Sequence, residues 1–262
     1  MKKIFSNLFT PFRKISPTTS YILIAIQAII VIVCLQLFSN ELMPKPSEII
    51  MALWTMLQTR DFYDDLFVSL WQTLKAMSIA IAIALPISYL VTIPFFKGVA
   101  IFITKLRFLT IAGLSFVFLV ILKDASLYKL SLLLFGIVPF FITSLVAEYN
   151  TIKSEELDLC KTLKMNPWQS LYELIIFGKL NTSILVIGIN FAICWSMIVY
   201  VESQTMGLGG LGTIIFKSQK HLRLEEVFAV LTVIFCIGNS SDWSMAGFRK
   251  WAFPFTSIQN IN

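Results

Sequence analysis

Apolar and polar positions in this chain alternate on the scale of whole segments rather than single residues. Six stretches free of Asp, Glu, Lys and Arg, at 15–40, 76–96, 108–122, 130–147, 180–201 and 227–241, are separated by polar segments. A helix needs roughly 20 apolar residues to cross about 30 Å of hydrocarbon. The two runs of 15 residues, 108–122 and 227–241, must therefore borrow flanking residues or sit tilted in a bundle. β-Barrel strands would be short and alternating; these runs are long and continuously apolar. The pattern predicts an all-α polytopic membrane protein of about six transmembrane helices.

The polar segments carry their own periodicity. Before the second run, Met43-Pro44-Lys45-Pro46-Ser47-Glu48 is followed by Ile49, Leu53, Met56 and Leu57 at helical spacing. A short surface helix is expected there, either a plain interfacial connector or a docking element. The next apolar stretch can begin at Leu66, and 66–96 as one helix would be about 46 Å long. Pro86 is the expected kink.

The longest internal polar stretch, 148–179, reads as helix, turn, helix. Ser154 can cap a helix with Glu155 and Glu156 in its first turn and Lys161 and Lys164 near its end, each charge matched to the helix dipole. That helix stops near Met165. Asn166 as N-cap, Pro167 at the first position and Gln169 at the third start another.

Composition agrees with the pattern. The 262 residues are 57% hydrophobic and 14% charged, with a mean hydropathy of +0.80, leaving too little polar surface to enclose a soluble core. With the amino terminus inside, the inner segments (1–19, 97–107, 148–179, 242–262) hold 13 Lys and Arg and the outer segments seven. This bias predicts that both termini are cytoplasmic. A cleaved signal peptide after Lys2, Lys3, Arg13 and Lys14 is the rival reading, opposed by the run's length and the lack of a small-residue cleavage site. The net charge of +6 follows this topology rather than one patch, so anionic lipid is the expected partner and nucleic acid is not. Expected segments are a cytoplasmic 1–19, a transmembrane domain 20–242 and a cytoplasmic tail 243–262.

Candidate chemistry is sparse. Cys34, Cys160, Cys194 and Cys236 are too scattered for a disulfide framework or a zinc site. His221 is the single histidine, so no Ser-His-Asp site or histidine metal cluster assembles around it. No G-x-x-x-x-G-K-S/T loop exists to bind ATP, and no cofactor site is expected. Gly207-Leu208-Gly209-Gly210-Leu211-Gly212 follows an apolar span rather than a soluble strand, so it suits tight turns or close helix approach better than a dinucleotide. Polar groups inside spans are costly, which makes Gln72, Lys75, Asn190 and Glu202 candidates for a translocation path; Ser196 lies on the same fifth span as Asn190. The plainer alternatives are a Lys75 that snorkels to an interface and a Glu202 that marks a helix end.

Three stretches resemble the permease subunits of ATP-binding-cassette importers of the nitrate, sulfonate and taurine type. The resemblance covers about residues 43–242. Met43 to Glu48 with Asp65-Leu66-Phe67-Val68-Ser69-Leu70 looks like the segment after the family's first span; Val201-Glu202 with 206–212 looks like its Ala-Glu and Gly-Leu-Gly signature, with Gly-Leu-Gly at either 207–209 or 210–212. Asn150-Thr151 with Glu156-Leu157-Asp158-Leu159-Cys160-Lys161-Thr162-Leu163 is similar to the family's cytoplasmic "E-A-A" loop. Here Cys160 replaces the family's alanine, Lys164 its glycine, and Ile176-Phe177 its Leu-Pro. The Pro-rich start of the third span is reduced to residues 107–113.

The resemblance implies a type I importer permease in a bacterial cytoplasmic membrane, moving a small polar or anionic solute by alternating access. Its implied partners are two ATPase subunits carrying ATP and Mg, a second permease copy or homologue, and a periplasmic or lipid-anchored solute-binding protein. Glu155, Glu156, Leu157, Cys160, Leu163, Lys164 and Asn166 then form the coupling helix and its turn, and the fifth span lines the pore. A channel, a secondary carrier and the substrate-capturing subunit of a vitamin importer are the competing classes.

Overall fold

The computed structural model describes residues 16–37 and 44–254. Lys2, Lys3, Arg13, Lys14, the end of the first run at 38–40, Met43 and the tail 255–262 lie outside the described residues. Eleven α-helices follow in chain order: α1 Pro17–Leu37, α2 Pro46–Leu57, α3 Arg60–Leu90, α4 Pro94–Lys105, α5 Ile111–Ile121, α6 Ala125–Tyr149, α7 Ser154–Thr162, α8 Pro167–Leu171, α9 Leu180–Gln204, α10 Leu211–Lys220 and α11 Leu224–Ala252. No strand occurs among the described residues. Helices α3, α6, α9 and α11 are each long and apolar enough to cross a membrane, and the chain is an all-α, multi-pass membrane protein. Helix α1, 21 residues long, stands largely outside the packed bundle with Tyr21, Ile22 and Ile29 exposed.

The bundle core follows from small residues at helical spacing. Ala76, Ala80 and Ala84 on α3 are fully buried, and side chains this small let a neighbouring helix come close. Leu132, Ile137, Phe141 and Leu145 of α6 and Ile198 of α9 are buried in the same core.

Helix directions follow from contacts at the two ends. Ser69, near the start of α3, bonds Glu202, near the end of α9, and Lys129, near the start of α6, lies beside the same carboxylate. At the other end Tyr89 of α3 stacks on Tyr149 of α6, ring centroids 5.7 Å apart. Helices α3 and α6 are therefore parallel, and α9 is antiparallel to both. The connection from α3 to α6 must travel the length of the bundle, and α4 and α5 make that journey. Thr104 to Arg107 lie against the end of α6, Ile111 against its middle at Gly136, and Phe118 against Phe135.

Three sequence expectations are corrected here. The run 76–96 is not one helix: Ile93 precedes a proline, adopts the extended conformation (φ −87°, ψ 122°), and Pro94 starts α4. The run 108–122 yields only the 11-residue α5, bent by 105° from the segment Pro94–Phe108. The last helix runs past the apolar run 227–241 to Ala252, finishing with Arg249 and Lys250, which suit a helix C-terminus. The N-cap of α7 is Lys153, and Ser154 is the first helical residue. Pro86 lies inside the unbroken α3.

Helix α2 has the expected face. Ile49, Leu53 and Met56 are half-buried on it, and Glu48 Oε2 accepts from the Lys45 backbone N–H at 2.9 Å. The opposite side is also apolar, with Ile50, Met51 and Trp54 exposed.

Candidate functional site

Two constellations stand at opposite ends of the bundle. At the first, the chain turns from α9 into α10 through a glycine loop folded onto a buried charge. Glu202 and Lys129 are 0% and 2% exposed, so each needs partners to leave water. Ser69 Oγ lies 2.9 and 2.8 Å from the two carboxylate oxygens of Glu202 and donates to that group, while the Gly212 N–H donates to Oε2 at 3.0 Å. Lys129 Nζ donates to the Gly209 carbonyl at 3.0 Å and stands 4.0 Å from Glu202 Oε1. Asp65 Oδ1 accepts from the Gly210 N–H at 2.7 Å, and Ser69 Oγ accepts from the Leu211 N–H at 2.9 Å. Three helices and the loop are thus tied by one network.

The glycines make this geometry possible. Gly209 and Gly210 have φ of +68° and +111°, a region that side-chain-bearing residues rarely adopt. A Cβ on Gly210 would also collide with the Glu202 carboxyl, and one on Gly212 with the Val199 carbonyl. Gly207 has open space around it, so the constrained glycines are 209, 210 and 212.

The predicted pathway residues do not converge. Asn190 is fully buried, its Nδ2 donating to the Val186 carbonyl at 2.9 Å, and its Oδ1 has no hydrogen-bond partner among the described residues. It lies 12 residues, about 18 Å, along α9 from Glu202. Lys75 is exposed in the middle of α3 and Gln72 is half-buried one turn before it. Ser196 is exposed on α9, its hydroxyl donating to the Ile193 carbonyl at 2.8 Å.

At the opposite end stands the 150–179 excursion. Lys179 Nζ donates to Thr151 Oγ1 at 2.8 Å and draws its two ends together. Helix α7 projects from this base with Glu155, Glu156, Leu157, Leu159 and Leu163 exposed. Cys160 is buried while Leu157 and Leu163, three residues to either side, are exposed, so these candidate coupling residues do not share one face; Leu159 and Leu163, four apart, share the outward face. Trp168 of α8 is exposed at 68%.

The turn after α7 is tightly specified. Met165 N–H donates to the Cys160 carbonyl and Lys164 N–H to the Lys161 carbonyl, both at 3.0 Å, the pair that closes a Schellman motif. Lys164 occupies its left-handed position with φ +54°, where glycine is the unstrained residue. Gln169 Oε1 then accepts from the Asn166 N–H at 2.9 Å, the capping box read from the sequence. A cavity of about 760 Å³ separates this excursion from the bundle, lined by Pro94, Tyr149, Leu157, Lys161, Met165 and Trp168 among others.

Sequence reasoning missed Lys129, Asp65 and Leu159. A lysine at the edge of the apolar run 130–147 and a glutamate at the edge of 180–201 were the available signal for a buried pair. Among the described residues no group of His, Cys, Asp and Glu is placed to hold a metal ion. Compared with protein-family models and with curated proteins, the chain matches neither.

Proposed function

We propose that this chain is the permease subunit of an ATP-driven importer and that α7 is the lever through which a cytoplasmic ATPase drives it. The observation that carries the reading is Lys164 in the left-handed position of the Schellman turn. The importer loop that residues 150–163 resemble has glycine there, as this backbone geometry favours. Further support comes from Leu159, Leu163 and Trp168, large apolar side chains exposed on a polar excursion at a bundle end, the pattern of a partner-binding face.

In this reading the excursion faces the cytoplasm and the glycine-loop network faces outside. Both termini are cytoplasmic, and the span count is six: α1, α3, the bent pair α4 and α5, α6, α9 and α11. The fold is that of a type I importer permease, paired with a second copy or a homologue and served by a solute-binding protein. ATP and Mg belong to the two ATPases. A helix closed by a Schellman turn transmits their closure to α6 and α9, while the network holds the outer end shut until that force arrives. Lys75 and Ser196, both exposed on long helices, line the path for a small polar or anionic solute. Asn190 and Glu202, both buried, act in packing and closure.

The test replaces Leu159 and Leu163 by Asp, singly and together. A carboxylate buried in the contact costs several kcal/mol, so the double variant should lose both ATPase co-purification and substrate-stimulated ATP hydrolysis in reconstituted membranes, with its own melting temperature unchanged. Undiminished association and stimulation remove the coupling role from α7. A wild-type chain that transports solute in vesicles with no ATPase present is a channel or carrier instead.

A further inference from the structure

The chain has no acidic residue between Asp65 and Asp124, yet this segment carries Lys97 in the first turn of α4 and Lys105 and Arg107 at the elbow from α4 to α5. Among the described residues neither Lys105 nor Arg107 has an ion-pair partner. Both lie by the Phe108 ring, with Lys105 Nζ 6.0 Å and Arg107 Cζ 5.0 Å from its centroid. Beside them is a crevice of about 240 Å³ lined by Thr104, Lys105 and Arg107 on one side and Thr143, Ala147 and Asn150 on the other. The two threonine hydroxyls donate to their own helices, at Ile101 and Pro139. The donors turned toward an incoming group are therefore the two cations and the Asn150 amide. Glu148 is the one acid on α6, and helical spacing puts it on another face from Thr143, Ala147 and Asn150.

Depth in the membrane adds a second constraint. Thr143 is six residues, about 9 Å, before the end of α6, so the crevice straddles the level where a spanning helix passes from hydrocarbon to headgroups. Its volume is below the roughly 300 Å³ at which pockets begin to enclose a drug-sized ligand, so it suits a single anionic group of something larger. The surface around it is apolar and open: Ile101, Phe102 and Phe108 beside the crevice, Phe116 and Val120 along α5.

We propose that this crevice is a binding site for an anionic phospholipid. The headgroup phosphate sits between Lys105, Arg107 and Asn150, and the acyl chains lie along the exposed faces of α4 and α5. A free phosphate would use the charges but none of the apolar surface, which is why a lipid is the better fit. The site is independent of whether the chain works with an ATPase.

The experiment measures the melting temperature of the full-length protein in detergent, titrated with phosphatidylglycerol, phosphatidylcholine or inorganic phosphate. Phosphatidylglycerol should raise it, and the other two should not at equal concentration. Lys105→Ala/Arg107→Ala should need about thirtyfold more phosphatidylglycerol for the same rise, the combined effect of two basic side chains at a membrane surface. Lys217→Ala/Lys220→Ala, which removes two cations at the opposite end, should respond as wild type. A Lys105→Ala/Arg107→Ala protein with undiminished response overturns the site, and so does an equal loss in the Lys217/Lys220 pair, which would reveal bulk charge alone. A rise produced equally by inorganic phosphate makes it a phosphate site and overturns the lipid. Where the double variant does not fold, Arg107→Lys keeps the charge and loses the planar fork; it should weaken the response several-fold, and no change overturns the proposal.

Discussion

The two ends of the bundle use charge in opposite ways. At the glycine-loop end, Glu202 and Lys129 are buried and their polar atoms face Ser69, Gly209 and Gly212. At the excursion end, Lys161 and Asp158 meet at 2.7 Å but in the open, with side chains 77% and 66% exposed. A buried pair whose partner is removed leaves an uncompensated charge and costs about 3–5 kcal/mol, whereas an exposed pair contributes about 0–1 kcal/mol. One end is therefore built to stay as it is, and the other to remain available to something else.

Substitutions can break that contrast, beginning with the largest effect. Glu202→Ala leaves Lys129 buried without its counter-charge and the Gly212 N–H buried without its acceptor, and should lower unfolding stability by about 3–5 kcal/mol in denaturant titrations of the detergent-solubilised protein. Glu202→Gln keeps an acceptor and should cost less. A Glu202→Ala protein as stable as wild type would mean that the network holds nothing. Gly210→Ala comes next: positive φ and collision with the Glu202 carboxyl together should cost about 3 kcal/mol, read as a lower melting temperature. Lys164→Gly should act in the other direction. It relieves a left-handed lysine and should stabilise by about 1 kcal/mol, read as a higher melting temperature. Lys161→Ala should change stability by less than about 0.5 kcal/mol, and a larger loss would place this end in the same class as the other.

Much of the architecture was legible in the sequence because its signals are local. Unbroken apolar runs located α1, α6, α9 and the start of α11, and Asn166-Pro167 with Gln169 located the start of α8 to the residue. The elbow between α3 and α4 was not legible from apolarity, since 91–93 is as hydrophobic as its flanks; only Pro94 marked it. Helix α11 outran its apolar run because a helix that leaves the membrane keeps its hydrogen bonds in water. The direction of Cys160 was missed since spacing three apart fits either flank of a helix, and the bundle decides which flank is buried. The network at Glu202 was least legible. Asp65 and Gly210 are 145 positions apart, and no periodicity joins them.

That separation orders the assembly of the molecule in time. Ser69 and Asp65 are synthesised before Lys129, and Lys129 well before Glu202 and the glycines, with Glu202 133 positions after Ser69. A nascent chain that has delivered α3 and α6 to the membrane holds a lysine at the edge of a span with neither its counter-ion nor the carbonyl that will receive it. The cost of that exposed charge is relieved only when α9 and the turn into α10 arrive together. The last third of the polypeptide thus completes a pairing left open by the first half, and a chain that stops short of Glu202 carries a charge defect that distinguishes it from the finished protein.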